Sequence, residues 1–419
     1  MSNLSSTSKL PKLRFPNFDS EWIHKPLSNL CTEITYGLTV RPEYIERGIP
    51  LISAREIAKG QIDFDNAPKI SQKSYDALSS KAKPKKGDLF LSKTGTIGFS
   101  AYVDRDNFAI TQNISVIRLD KDQNINPFYL LSYFRTRSFL KGAIRKVNQS
   151  TIMDLQLQDI KKLVIALPED KDEQQKIADF LSNIDNYIQN LKSQKKELEK
   201  YKKGMMEKIF SQEFRFKDAD GKTYDDWKNT RLGDLDIYVS DGNYGEKYPK
   251  ASEMISEGIP FIRANNIKNL SITWDDMKYI SHDQHKLLKS GHLKANDIII
   301  ATRGDIGTLA LVDKEFNDAN INAQICLLRC GKGVSPKYLL YYLASEKGQS
   351  QFRELQTGTA LKQLPKGNLA KVKILLPVLE EQIKIESFFV SIGELISSRQ
   401  TQIEQAELWK KGLMQEMFI

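Results

Sequence analysis

His282, His285 and His292 stand close together in the second half of the chain, and imidazole is the side chain that most often holds a transition metal. A metal site also needs acids or thiolates at ligand spacing, and none are arranged around these histidines in the sequence. They read as helix-surface residues, and no metal is expected. SKTGTIG (92–98) has the glycines of a phosphate loop without its GK[ST] ending, and its repeat ATRGDIG (301–307) lacks the lysine. Both read as strand, turn and strand. Cys31, Cys326 and Cys330 are an odd set without a CxxC pair, so neither a disulfide framework nor a structural zinc site is supported, and they are expected in the core. No Ser/His/Asp triad, activated cysteine or paired carboxylate recurs, and no catalytic residue is assigned.

NPFY (126–129) has the outline of the (N/D/S)PP(Y/F) motif with which amino-methyltransferases hold a flipped base. Phe128 occupies the place of the second proline, the repeat of the segment is SPKY (335–338), and no FxGxG loop for S-adenosylmethionine follows any strand. A structural reading fits both copies. Asn126 and Ser335 are N-caps, Pro127 and Pro336 take the first helical position, and apolar helix follows.

These segments occur twice because the whole chain does. GIPLISAREI (48–57) returns as GIPFIRANNI (258–267), GDLFLSKTGTIG (87–98) as NDIIIATRGDIG (296–307), and AITQNISVIR (109–118) as NINAQICLLR (320–329). LRF (13–15) before Trp22 matches FRF (214–216) before Trp227, and IKKLVIALP (160–168) matches LAKVKILLP (369–377). Each copy opens with a part of short β-branched runs between Gly, Asn and Pro turns, residues 22–167 and 227–376, which predicts an α+β globular domain. Residues 1–21 form an N-terminal segment and 211–226 a linker.

Residues 168–210 and 377–419 are almost free of Gly and Pro and carry heptads. The first seam runs Ile177, Leu181, Ile184, Ile188, Leu191, Lys195, Leu198, Lys202, Met205 and Ile209; the second runs Ile385, Phe389, Ile392, Ile396, Arg399, Ile403, Ala406, Lys410, Leu413 and Met417. Two such helices bury their seams best on one another, and forty residues of helix extend about 60 Å. An antiparallel pair, related by a pseudo-two-fold, would set the two globular domains at opposite ends of a spacer rod.

Composition limits the partner. The formal net charge is +9, which favours a polyanion only weakly at this length. No apolar run reaches the roughly 20 residues of a membrane span, and MSNLSSTSKL lacks a signal-peptide core, so a cytoplasmic protein with no membrane partner is expected.

The order LRF…W, GIP-I, TG-IG, a proline-capped helix and then LPxxxEQ at the head of a long helix, twice over, resembles the specificity subunit of Type I restriction-modification systems. The last motif is LPEDKDEQQKI (167–177) and LPVLEEQIKI (376–385), with one residue fewer between Pro377 and Glu381 than between Pro168 and Glu173. The resemblance implies two target recognition domains, each reading one half of a split, asymmetric double-stranded DNA sequence, held apart by the long helices. It also implies two methyltransferase subunits docked alongside, joined by restriction/translocase subunits, so that the chain directs adenine methylation and ATP-dependent cleavage without being catalytic. S-adenosylmethionine, ATP and Mg would be used by those partners, with no cofactor bound by this chain. A self-contained DNA adenine methyltransferase would need the missing cofactor loop, and a structural coiled-coil scaffold would not need two domains with divergent polar loops.

Such a reader needs one scaffold with two sets of reading residues. Arg pairs with guanine edges, Asn and Gln pair with adenine, and Ser and Thr are permissive, so polar loop residues that differ between the copies are the candidates. In the first copy they are Tyr36, Thr39, Arg41, Ser53, Arg55, Lys93, Thr94, Thr96, Asn148, Gln149 and Ser150. In the second they are Asp241, Asn243, Tyr244, Arg263, Asn265, Asn266, Thr302, Arg303, Gln356, Thr357 and Thr359. Any one of them can equally be a solvated loop position, and the Lys and Arg among them can hold phosphates instead.

Overall fold

Residues 87–102 and 296–311 fold alike because their apolar and glycine positions agree. In the computed structural model, which describes residues 10–38, 42–58, 60–80, 83–147, 153–242 and 247–419, strand Leu89–Ser92 pairs antiparallel with Ser100–Tyr102, and Ile298–Ala301 with Leu309–Leu311. The connecting turns hold Gly95 and Gly98 at φ 77° and 100°, and Gly304 and Gly307 at 71° and 88°, a region closed to most side chains. A Cβ on Gly98 would stand 2.2 Å from Leu140 Cδ2, so this glycine also lets a helix pack on the turn.

Each hairpin belongs to a four-stranded antiparallel sheet: Cys31–Tyr36, Ile114–Leu119, Leu89–Ser92, Ser100–Tyr102 in one copy, and Ile237–Asp241, Ile325–Cys330, Ile298–Ala301, Leu309–Leu311 in the other. A smaller sheet follows the same plan twice. Ile49–Ile52 pairs antiparallel with Lys69–Ile70 and parallel with Ala109–Ile110, as Ile259–Ile262 does with Lys278–Ile280 and Asn320–Ile321. An ion pair locks each four-stranded sheet across its middle strands. Arg118 donates from Nε and Nη2 to Asp88 at 2.9 and 2.8 Å, and Arg329 to Asp297 at 2.8 and 2.7 Å.

The N-caps stand where the sequence puts them. Asn126 Oδ1 accepts from the Phe128 and Tyr129 amides at the head of helix Pro127–Phe134, and Ser335 Oγ from the Tyr338 amide at the head of Pro336–Ala344. The hydroxyl of Tyr129 is buried against the Ala166 carbonyl at 2.8 Å, and that of Tyr338 donates to Leu375 O. The NPFY segment is therefore a core element. Cys326 is buried and Cys31 and Cys330 are half-buried, all three free. Burial pushes the Cys31 and Cys330 thiols up to about 12.

The two long helices are Lys171–Phe210 and Leu379–Glu416. The chain forms two compact units, Met1–Lys192 with Thr401–Ile419, and Ser193–Gln400, so each unit takes one half of each helix. In the first unit Ile177, Leu181, Ile184 and Ile188 are buried in a core shared with Ala406, Met417 and Phe418, and Leu191 is buried as well. Lys410 pairs with Asp185 there, and Lys192 with Glu407 at 2.6 Å. In the second unit Lys195 Nζ donates to Gln400 at 2.9 Å and Arg399 Nε to Gln194 at 2.9 Å. Within each unit the helix halves are therefore packed antiparallel. The two lysines of the first seam find their own partners: Lys195 is held by Gln400, and Lys202 lies 5.2 Å from the Tyr341 ring centre, where burial holds its pKa below the usual lysine value. Among the described residues, no helix is long and apolar enough to cross a membrane.

The LPxxxEQ motifs fix each helix head to its domain. Glu173, 1% exposed, accepts from Arg14 Nε and Nη2 at 2.7 Å each and from the Trp22 indole at 3.3 Å. Glu381, fully buried, accepts from Arg215 Nε and Nη2 at 3.2 and 2.8 Å and from the Trp227 indole at 2.8 Å. The next residue ties a second knot. Gln174 accepts from the Asn126 amide at 2.9 Å and donates to Pro168 O at 2.9 Å, while Gln382 accepts from the Ser335 amide at 2.8 Å and donates to Pro377 O at 2.9 Å.

Removing one partner of a buried ion pair leaves an uncompensated charge, which costs about 3–5 kcal/mol. Glu381→Ala is expected to destabilise the full chain by that amount in denaturant unfolding, and its exposed neighbour Glu380→Ala to change stability by less than about 0.5 kcal/mol. Equal effects of the two substitutions would remove the anchoring role of Glu381.

Candidate functional site

The strands deliver the candidate loops to one another. In the first unit the loops after Cys31–Tyr36, Ile49–Ile52, Leu89–Ser92 and Ala109–Ile110 all leave the carboxyl ends of their strands. Segment 111–113 is their meeting point. The Leu38 amide donates to Ile110 O at 2.8 Å, Thr111 to Ile52 O at 2.9 Å, and Lys93 to Asn113 O at 2.9 Å. The segment 153–155 closes the set, with the Gly95 amide on Met153 O at 2.9 Å and that of Leu155 on Lys93 O at 2.8 Å. A groove of about 390 Å³ at this junction is lined by Tyr36, Lys93, Gln112, Gln156, Leu157 and Gln158.

The second unit repeats the wiring around segment 322–324. The Asn322 amide donates to Ile262 O at 2.9 Å, Gly242 to Ile325 O at 3.1 Å, Thr302 to Gln324 O at 2.8 Å, and Leu364 to Thr302 O at 2.9 Å. Thr357 and Gln363 exchange backbone bonds of 2.8 and 2.9 Å, and the exposed tip between them carries Thr359 and Leu361. Among the described residues, the loops that carry the candidates of each unit thus meet in one cluster.

Within the clusters the candidates differ. Tyr36, Arg55 and Thr96 in the first unit, and Asn265, Arg303, Thr357 and Thr359 in the second, are exposed. Ser53, Lys93, Thr94, Asp241, Arg263 and Gln356 are half-buried. Several of these are already engaged. Asp154 accepts from Lys93 Nζ at 2.8 Å and Thr94 Oγ1 at 2.5 Å; partial burial pushes its carboxyl up, and these bonds with the lysine charge outweigh that and hold it below the usual range. Arg263 Nη2 donates to Asp276 O at 2.5 Å and Oδ2 at 2.9 Å, and together with Lys278 it pulls that carboxyl down to about 2. Thr39, Arg41, Asn148, Gln149, Ser150, Asn243 and Tyr244 lie outside the described residues.

Two candidates are corrected. Asn266 is fully buried: its Oδ1 accepts from the Arg263 amide at 3.1 Å and its Nδ2 donates to Asp275 O at 2.8 Å, so the side chain closes a turn and presents nothing outward. Glu56 does the same job in the first unit, accepting from the Ser53 amide at 2.8 Å and from Ser53 Oγ at 2.5 Å. Thr302, 9% exposed, spends its hydroxyl on Gln324 O at 3.0 Å. His282 is exposed on its helix as expected, and the other two histidines are corrected. His285 is buried inside its helix packing, and His292 lies beyond that helix on an isolated bridge with Asn320.

Two residues were missed. Gln112 and Gln324 are exposed amides on the segments where the loops meet, in TQN (111–113) and NAQ (322–324). Their signal was present: an apolar frame kept between copies with its polar residues exchanged, the same signal that marked Arg55 and Asn265.

The family profile described as "Type I restriction modification DNA specificity domain" matches residues 43–200 and 224–408. A Methanocaldococcus jannaschii chain provisionally named type I restriction enzyme MjaX specificity subunit is 27% identical, over 96% of this chain and 94% of its own. The fold is similar to that of a Type-I restriction-modification S subunit from M. genitalium, with a TM-score of 0.58 at 14% identity, covering 98% of this chain and 99% of that one. It is also similar to a chain from a structure of the type I R-M system concerned with complex assembly and conformational transition, with a TM-score of 0.59 at 18% identity over 95% and 97%.

Adjacent asparagines separate scaffold from surface. Asn266→Ala removes a fully buried side chain together with both of its turn-closing hydrogen bonds and is expected to cost about 1–3 kcal/mol, whereas Asn265→Ala is expected to stay within about 0.5 kcal/mol of the parent in thermal unfolding. The opposite order would mean that the turn is not held by Asn266.

Proposed function

Because the chain belongs to the type I restriction modification DNA specificity family, we propose that its two loop clusters are the surfaces that read DNA, one for each half of a bipartite, asymmetric target. The observation that carries this is a backbone wiring kept in both units under loop side chains that differ, most of them exposed. Arg55 stands where Asn265 does, Thr94 where Arg303 does, and Gln112 where Ala323 does. Arg favours guanine, and Asn and Gln favour adenine, so the two clusters would select different half-sites. Exposed Arg303 would hold a phosphate as well, in keeping with the net charge of +9.

The chain is the recognition element of a complex, and the chemistry belongs to its partners. The reading as a self-contained methyltransferase is disfavoured by the NPFY segment itself, whose asparagine caps a helix and whose tyrosine is buried against Ala166 O. Two methyltransferase subunits, using S-adenosylmethionine, would flip the adenine selected by the bound half-sites. Restriction subunits would add ATP- and Mg-dependent cleavage. Exposed large apolar side chains on the long helices, Tyr187, Leu408 and Trp409 in the first unit and Tyr201, Ile383 and Leu395 in the second, are suited to docking such subunits.

The test is reconstitution. The purified chain given DNA and S-adenosylmethionine is expected to methylate nothing, and with its methyltransferase partner to direct adenine methylation to one interrupted sequence. Methyl transfer by the chain alone, or methylation without a defined sequence by the mixture, would contradict the proposal.

A further inference from the structure

Helix His282–Leu287 is capped by Ser281, whose Oγ accepts from the Gln284 amide at 3.1 Å, and this places His285 on the buried face. His285 Nδ1 is hydrogen-bonded to Asn320 Oδ1, and the tautomer with its proton on Nδ1 satisfies that bond and leaves the Nε2 lone pair available. His292 Nε2 donates to Leu288 O at 2.8 Å, which leaves the lone pair on Nδ1. Both free nitrogens turn to the same carboxylate: His285 Nε2 lies 3.4 Å from Asp318 Oδ2, and His292 Nδ1 lies 3.9 Å from Oδ1. One ligand atom from each of the three residues falls within 4.8 Å of the others. Asp318 is held there by a left-handed backbone, φ 67°, and by its amide on Leu293 O at 2.8 Å.

The fold does not require this trio. Counted from the matching N-caps Ser71 and Ser281, the first unit has Tyr75 in place of His285, and it has Asn107 and Ala109 in place of Asp318 and Asn320. It builds the same helix and the same strand pair without any of the ligands.

We propose that His285 Nε2, His292 Nδ1 and the Asp318 carboxylate form a binding site for a divalent transition-metal ion of the zinc type. Two imidazoles and one carboxylate suit zinc better than magnesium or calcium, which prefer sets of oxygens. Each imidazole is already oriented by a second hydrogen bond, the arrangement that sets tautomer and ring direction in metal sites. Three protein ligands leave the fourth place to water. The ion ties the helix, the segment ending at His292 and the strand Asn320–Ile321 into one body. The turn between them reaches the reading cluster: a Cβ on Gly291 would stand 3.3 Å from Gly242 Cα. The site is thus a clamp under one loop of the second unit only, and it stands whether or not that loop reads DNA.

The experiment is zinc titration of the full-length, tag-free chain against a chromophoric chelator, with cobalt as a spectroscopic substitute. One zinc per chain is expected, a visible d–d absorption typical of tetrahedral cobalt, and a rise in Tm on adding zinc. Asp318→Asn, at an exposed side chain whose loss leaves the core intact, is expected to lower the affinity at least tenfold and to abolish the zinc-dependent rise in Tm. His292→Ala is expected to do the same, and Asn320→Ala, which removes no ligand, to weaken binding by about 10–100-fold. His282→Ala, on the exposed side of the helix, is expected to bind as the parent does. A flat titration of the parent chain would overturn the proposal, as would parental affinity in Asp318→Asn or His292→Ala.

Discussion

A carboxylate buried at the head of each long helix is the constraint on which the rest of each unit depends. Placing Glu173 and Glu381 out of water is costly unless every lone pair is met, and here each is met by one guanidinium and one indole. The guanidinium comes from the segment ahead of the domain and the indole from the domain's first residue, and the glutamine that follows grips the proline-capped helix inside it. One dipeptide therefore joins the segment before the domain, its core and the long helix leaving it. An error in any of the three would leave a charge or an amide unpaired in the interior. That accounts for the motif's presence in both copies although the loop before it differs in length by one residue.

From the helix heads onward, sheets carry the information outward. The Asp88–Arg118 and Asp297–Arg329 pairs hold the middle strands in register, and register decides which residue ends each strand. The polar loops begin at those ends, wired through the backbone of segments 111–113 and 322–324. Because the wiring uses main-chain groups, the side chains above it are free to differ, and they do. The same scaffold also accepts an addition under one loop, the two histidines and the aspartate of the second unit, without change to its strand pairing.

Much of this was legible in the sequence because it is governed by local rules. The two hairpins followed from glycine positions, the helix starts from an Asn or Ser before Pro, and the long helices from heptads without Gly or Pro. Where reasoning from sequence stopped, tertiary hydrogen bonding decided. Asn265 and Asn266 are chemically identical neighbours, yet one is exposed and the other is closed on Asp275 O. His285 meets Asp318 across 33 residues through a strand pairing that spacing does not reveal. Lys202 sits in an apolar seam because a tyrosine face from the adjoining domain receives it. The division of each long helix between two units was equally hidden, since its composition continues unbroken through residue 192 in one helix and residue 400 in the other.

On the function proposed above, one repeated scaffold carries two separate readers. The most direct measurement replaces residues 227–376 by the corresponding domain of a relative, pairs the chimera with its methyltransferase subunits, and maps every methylated adenine in a host genome. The expected target changes in one half-site and keeps the other base for base. A chimera that methylates efficiently but with both half-sites altered would contradict it.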